Sequence, residues 1–164
     1  GDLEQSKVTI DGVQYYSFLL DINEPNSTTK SMISLDALKI YTSTEAGQTT
    51  RNVDNLGEKR FDLDLPSDSY IKYNDFNSGS GQSDIAFFIP VSAFIGAAST
   101  DYVYMYQKFG SKFAANSTWS QGGFEETRIG VGVMPIPEAS TFLPLIGVLG
   151  AVVGLHHWRR RRTV

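Results

Sequence analysis

Lys7-Val8-Thr9-Ile10-Asp11-Gly12-Val13-Gln14-Tyr15-Tyr16-Ser17-Phe18-Leu19-Leu20-Asp21-Ile22 is the stretch that decides the fold class. Two β-prone runs flank Asp11-Gly12, a dipeptide that tolerates the positive φ angles of a tight hairpin turn. In the second run Tyr16, Phe18, Leu20 and Ile22 share one face, while Val13, Tyr15 and Leu19 share the other. Both faces are largely apolar, as in a strand covered on two sides. The stretch therefore predicts an opening hairpin whose second strand is central to a sandwich.

Outward from the hairpin the same grammar repeats. Asn23 to Ser31 reads as a polar loop containing Pro25. The segment Met32–Ser43 is mixed, and the alternation of Leu38, Ile40 and Thr42 with Lys39 and Tyr41 predicts a strand at its end. Residues 44–60 are polar and predict a long exposed loop. Phe61, Leu63 and Leu65 alternate with Asp62 and Asp64, which predicts a half-exposed strand stopped by Pro66. Further strands are expected over Ser69–Tyr73, Asp84–Pro90, Tyr102–Phe109 and Gly123–Val133, with one helical turn within Val91–Ala98. Asn77–Ser83 is turn chemistry. Roughly eight short strands at even spacing, with no long amphipathic helix, predict an all-β fold, an antiparallel β-sandwich of jelly-roll type.

The last 30 residues follow a different grammar. A polar, proline-containing stretch runs from Pro135 to Thr141, an apolar run from Phe142 to Leu155, then His156-His157-Trp158 and Arg159 to Arg162. As a helix, the 18 residues from Thr141 to Trp158 cover about 27 Å. That length suits a hydrocarbon core of about 30 Å, with Trp158 and the arginines at the interface. Arginines beside a span stay on the cytoplasmic side, so Arg159, Arg160, Arg161 and Arg162 predict a C-in, N-out topology. Two units are expected: an extracytoplasmic domain over 1–134, and a tail over 135–164 with its transmembrane helix at 141–158. An N-out protein requires an N-terminal export signal, which the expected topology treats as already removed.

This tail resembles the PEP-CTERM sorting signal of exported proteins from Gram-negative bacteria. The match is carried by Pro137, Glu138, Ala139, Ser140 and Thr141, by the Gly/Leu/Val-rich span and by the arginine cluster. Ala139 stands where the family motif has its second proline. The resemblance implies a temporary anchor in the inner membrane. It also implies recognition by an exosortase, an integral-membrane peptidase that cleaves near the motif and releases the domain to the surface or matrix. A second set of segments is similar to exported domains carrying the same tail: Leu20-Asp21-Ile22-Asn23-Glu24-Pro25, Leu38-Lys39-Ile40-Tyr41, Tyr102–Tyr106 with Phe109-Gly110, and Gly123-Phe124-Glu125-Glu126. It implies one continuous domain and no particular chemistry.

Composition limits the chemistry. There is no cysteine, which excludes disulfides and thiol catalysis. Both histidines lie in the tail, so the domain has no Ser-His-Asp triad and no ordinary zinc site. Four of the 14 Lys and Arg and one of the 18 Asp and Glu lie in the tail, which leaves ten cations against 17 anions in residues 1–134. A net charge of −7 argues against nucleic acid and is compatible with cations or neutral polymers.

Four constellations remain. Asp21, Asn23 and Glu24 offer oxygen ligands at a strand end, the type of site that takes calcium weakly in extracellular modules; the alternative is a solvated acidic loop. Tyr102, Tyr104 and Tyr106 lie on one face of a strand, either as a sugar-stacking platform or as a half-buried sheet face. Glu125 or Glu126 with Asp21 or Glu24 is the carboxylate pair that a glycosidase would need. Gly150 and Gly154 have the spacing of close-packed membrane helices; glycine-rich spans are also usual in sorting tails. Asn26 and Asn116 begin glycosylation sequons, which most bacteria leave unused. Together these predict a non-enzymatic exported surface or matrix protein associated with exopolysaccharide. A small carbohydrate-active enzyme and a self-assembling subunit that pairs through strand edges are the alternatives.

Overall fold

A computed structural model of the chain describes residues 2–23, 32–74, 83–115, 119–120 and 125–132. The chain divides into two units, Gly1–Val133 and Met134–Val164. All described residues belong to the first. The residues expected to form a sorting motif, the span expected over 141–158 and the arginine cluster lie outside them. Among the described residues there are eight strands, three short 3₁₀ turns and no α-helix, and no helix is long and apolar enough to cross a membrane.

The hairpin opens the fold as its sequence dictates. Asp11 and Gly12 turn with φ of 49° and 80°, the two positive angles that a two-residue hairpin of this kind requires. They join β1 (Lys7–Ile10) to β2 (Val13–Asp21). The central role expected of β2 is borne out. One edge pairs with β6 (Ile85–Pro90) from Tyr15 to Leu20; the other pairs first with β1 and then, from Phe18 to Asp21, with β8 (Glu126–Ile129).

The second sheet repeats this plan around β3 (Met32–Ser43). One edge pairs with β7 (Tyr102–Phe109). The other is shared by β5 (Ile71–Asn74) at its start and β4 (Glu58–Asp62) at its end. All pairings between these strands are antiparallel. The two sheets face each other across one core. Tyr16, Phe18, Leu20 and Ile22 come from the first, joined by Ile89; Ile33, Leu35, Leu38, Ile40 and Tyr73 come from the second. Phe18 and Phe87 stack at 5.3 Å on neighbouring strands. A 3₁₀ turn, Val91–Phe94, brings Phe94 edge-on to Tyr16 at 5.1 Å. On that side Arg60 of β4 donates to Thr42 Oγ1 at 2.7 Å and to the Ile95 carbonyl at 3.0 Å, and pairs with Glu58 at 2.8 Å.

β3 differs from expectation in length, for a local reason. Its core residues are Ile33 and Leu35, then Leu38 and Ile40, so the period-2 pattern slips by one. The register shows the cause: Leu35 pairs with Phe109 and Ala37 with Lys108, which leaves Asp36 as an extra residue in a bulge. Its carboxylate accepts from the Ser111 N–H at 2.6 Å, the Ser111 hydroxyl at 2.8 Å, the Lys112 N–H at 3.1 Å and the Ser34 hydroxyl at 2.7 Å. The bulge thus caps the turn that follows β7.

Partial burial works to raise the pKa of Asp36, and the donors from Ser34, Ser111 and Lys112 outweigh it, so the group is held below its ordinary value. A carboxyl depressed by folding adds stability above its unfolded pKa, and that stability is lost as pH falls through the folded value. Asp36→Asn is therefore expected to cost about 1–2 kcal/mol at neutral pH. It should also remove part of the acid sensitivity expected below about pH 4. Urea midpoints at neutral and acid pH measure both; equal losses at the two pH values would contradict this role.

Other boundaries move too, and the strand expected over Ser69–Tyr73 runs from Ile71 to Asn74. The strand expected over Phe61–Leu65 ends at Asp62 and begins earlier, at Glu58. Leu65 is 66 % exposed, because the Leu65 N–H turns back to the Asp62 carbonyl. The loop expected over 44–60 is shorter by that overlap and contains a 3₁₀ turn, Val53–Asn55, capped by Asn52. The last described strand spans only Glu126–Ile129; residues 123, 124 and 133 of the expected strand lie outside the described residues.

Candidate functional site

On the side of the sandwich where β7 and β8 bound the two sheets, a cleft of about 680 Å³ opens between them. Its floor is the inner face: Tyr16 and Phe18 of β2, Thr42 of β3 and Met105 of β7. Its rim carries Glu4, Asp101, Tyr102 and Arg128. Thr127 donates to Gln107 Oε1 at 2.8 Å, a direct link between β8 and β7. A volume of this size, with an apolar floor and a polar rim, is the range in which small ligands bind.

Two titratable groups of the cleft are coupled. The Tyr16 hydroxyl donates to Glu4 Oε1 at 2.5 Å, and Lys7 pairs with the other carboxylate oxygen at 2.6 Å. Burial, and then the hydrogen bond to Glu4, pushes the Tyr16 phenol up to about 12. Lys7 first, and Tyr16 second, hold the Glu4 carboxyl below its ordinary value. Such a carboxylate is ionised at neutral pH and holds no proton to give as a general acid.

The strand Tyr102–Phe109 is present with the expected alternation. Met105 and Phe109 pack against the core, so the tyrosines lie on the outer face. They differ among themselves. Tyr102 is half-exposed at the rim of the cleft. Tyr104 donates its hydroxyl to the Glu45 carbonyl at 2.6 Å and accepts from the Gln48 N–H at 3.4 Å. Its cross-strand partner Tyr41 is fully buried. The segment 44–57 is pinned at both ends by Gln48, which donates to Ser43 Oγ and the Leu56 carbonyl, and it closes over this part of the sheet. Tyr106 stands opposite Lys39, partly buried.

The acidic residues named at the end of β2 are partly brought together. Asp21 is buried and is the register partner of Glu126, which places the two side chains on one face within reach of each other. They line a hollow of about 420 Å³ with Ser83 and Arg128, and Arg128 reaches across to Ser83 Oγ at 3.2 Å. Asp84 accepts from the Ile22 N–H at 2.8 Å. Of the three residues expected to hold calcium, Asp21 and Asn23 are described and Glu24 lies outside the described residues. Among the described residues, no three histidines, cysteines or carboxylates are grouped to hold a metal ion.

One cluster had no signal in the sequence. On the outer face of the β3 sheet, Tyr70, Phe113 and Trp119 form a contiguous aromatic surface, with centroids 5.4 Å apart for the first pair and 4.2 Å for the second. The Lys72 ammonium lies 5.0 Å from the Phe113 centroid, 5.6 Å from Trp119 and 6.0 Å from Tyr70. Lys112 lies 5.1 Å from the Tyr70 ring and pairs with Asp68 at 2.7 Å. The three rings come from separate segments that only the β3 edges bring together, so no spacing rule could have found them. Compared with protein-family models, with curated proteins and with solved structures, this chain gives no match.

Proposed function

We propose that this chain is a non-enzymatic exported protein whose β-sandwich binds polysaccharide at the cell surface or in the extracellular matrix. The C-terminal tail holds the precursor in the inner membrane, N-out and C-in, until an exosortase-type peptidase releases the domain. The sorting half of this reading rests on the order of motif, apolar span and arginines in residues 137–162. The binding half is carried by one observation, the inter-sheet cleft with a tyrosine at its rim. Nucleic acid is not the partner of so acidic a domain.

The sorting half is tested by replacing Arg159–Arg162 with glutamate in the producing cell. Membrane retention of the precursor in the correct orientation should fall sharply, and the processed surface form should disappear. Fractionation and immunoblotting read both; a normal yield of processed protein would overturn the tail assignment. The binding half is tested by affinity electrophoresis of the chain against a panel of polysaccharides.

A second reading, glycoside hydrolysis, is favoured by the Asp21–Glu126 pair in its hollow. Reducing ends released from a polysaccharide, and lost in Glu126→Gln, would favour it over binding alone.

A further inference from the structure

We propose that Lys72 and the rings of Tyr70, Phe113 and Trp119 form a binding site for acidic polysaccharide, one whose sugars carry carboxylates. The site lies on the outer face of the second sheet and is not part of the inter-sheet cleft. It rests on the polysaccharide reading above and adds to it the charge class of the ligand.

The first argument is geometric. Lys72 and Tyr73 alternate along β5, and Tyr73 is in the core, so Lys72 points outward. Its cross-strand partner Ser34 is fully buried; a small residue there leaves room for rings that reach across β3 from the segment after β7. Three ring faces within 5.0 to 6.0 Å of one ammonium restrict where that charge can sit.

The second argument is chemical. Among the described residues Lys72, like Lys108, has no ion pair with a carboxylate, whereas Lys7, Lys39, Lys59 and Lys112 each have one; only Lys72 of these two lies among aromatic rings. Aromatic rings attract a cation without neutralising it. Among the described residues no carboxylate therefore takes up that ammonium, which stands at a fixed place beside flat apolar surface. A uronate presents those complements together: a carboxylate on the edge of a pyranose whose C–H face is apolar. The residues around the site matter because the domain as a whole is acidic. A polyanion approaching it gains nothing from the general field and needs a local cation to bind.

The test uses the full chain in mild detergent, with affinity electrophoresis through gels containing polygalacturonate or, separately, neutral dextran. The expected result is retardation by polygalacturonate that weakens as salt rises. Lys72→Met keeps the stem and volume but removes the charge, and should weaken the acidic interaction at least about tenfold. Lys72→Arg should restore most of it. Trp119→Ala should weaken it too, while a melting curve checks that each variant is folded. If Lys72→Met binds polygalacturonate as the parent does, or if dextran retards the parent equally, the acidic-ligand site is overturned while polysaccharide binding stands. No retardation by any polymer overturns both.

Discussion

Leu20→Ala is expected to lower the stability of the protein by about 2–5 kcal/mol, the largest loss of any single truncation proposed for it. Leu20 is fully buried and sits in β2 between Ile85 on one neighbour and Thr127 on the other. Its side chain enters the core against the opposite sheet, together with Phe18 and Ile22. Truncation removes apolar contact and leaves a cavity that backbone paired on both edges cannot move to fill. For a domain of this size the loss is a fall in melting temperature on the order of 10–20 °C. It is also a large part of the 5–15 kcal/mol typical of a whole domain. Thermal unfolding followed by circular dichroism reads it. A melt superimposable on the parent's would mean that Leu20 is not at the meeting of the two sheets.

Gly57→Ala is expected to be comparably damaging although no apolar contact is lost. Gly57 precedes β4 with φ of 133°, a region that side chains rarely enter. An added Cβ would meet the Thr42 carbonyl oxygen at 2.2 Å and the Ser43 Cβ at 3.0 Å. The obstacle is backbone of the central strand, so no side-chain rotation relieves it. Strain of about 1–3 kcal/mol from the backbone angle adds to the cost of displacing β4 from β3. The segment 44–57 would loosen with it, exposing Tyr41. The readouts are a lowered melting temperature and faster hydrogen exchange at the amides of residues 58–62. Exchange equal to the parent's would show that β4 accommodates the methyl group.

The hairpin was legible because its turn residues and its alternation agree, and β2 lies where both predict. β7 was legible for the same reason in the faces its side chains take: Met105 enters the core as its alternation with the tyrosines predicts, whereas Val103, on the same face, stays 37 % exposed. The first half of β3 was not. A bulge at Asp36 inverts the alternation within one strand, so Ile33 and Leu35 appear out of phase with Leu38 and Ile40. Phase is the only signal that a period-2 reading has. The site was legible in part. Asp21 and Glu126 could be named as carboxylates, but their pairing is a fact of β2–β8 register. The tyrosine stripe could be named, but not the segment 44–57 that engages Tyr104. The aromatic surface around Lys72 was invisible because its members come from β5, from the segment before it and from two separate positions after β7, Phe113 and Trp119.

The two long strands set the order in which this domain can assemble. β2 finds β1 at once, across a two-residue turn, but its other partners are β6 and β8, the latter at the far end of the domain. β3 likewise waits for β7. Neither sheet can close until nearly the whole domain is present. A topology dominated by such distant pairings folds over milliseconds to seconds rather than microseconds. During that interval the edges of β2 and β3 are open, and the chain is most exposed then to partners other than its own strands.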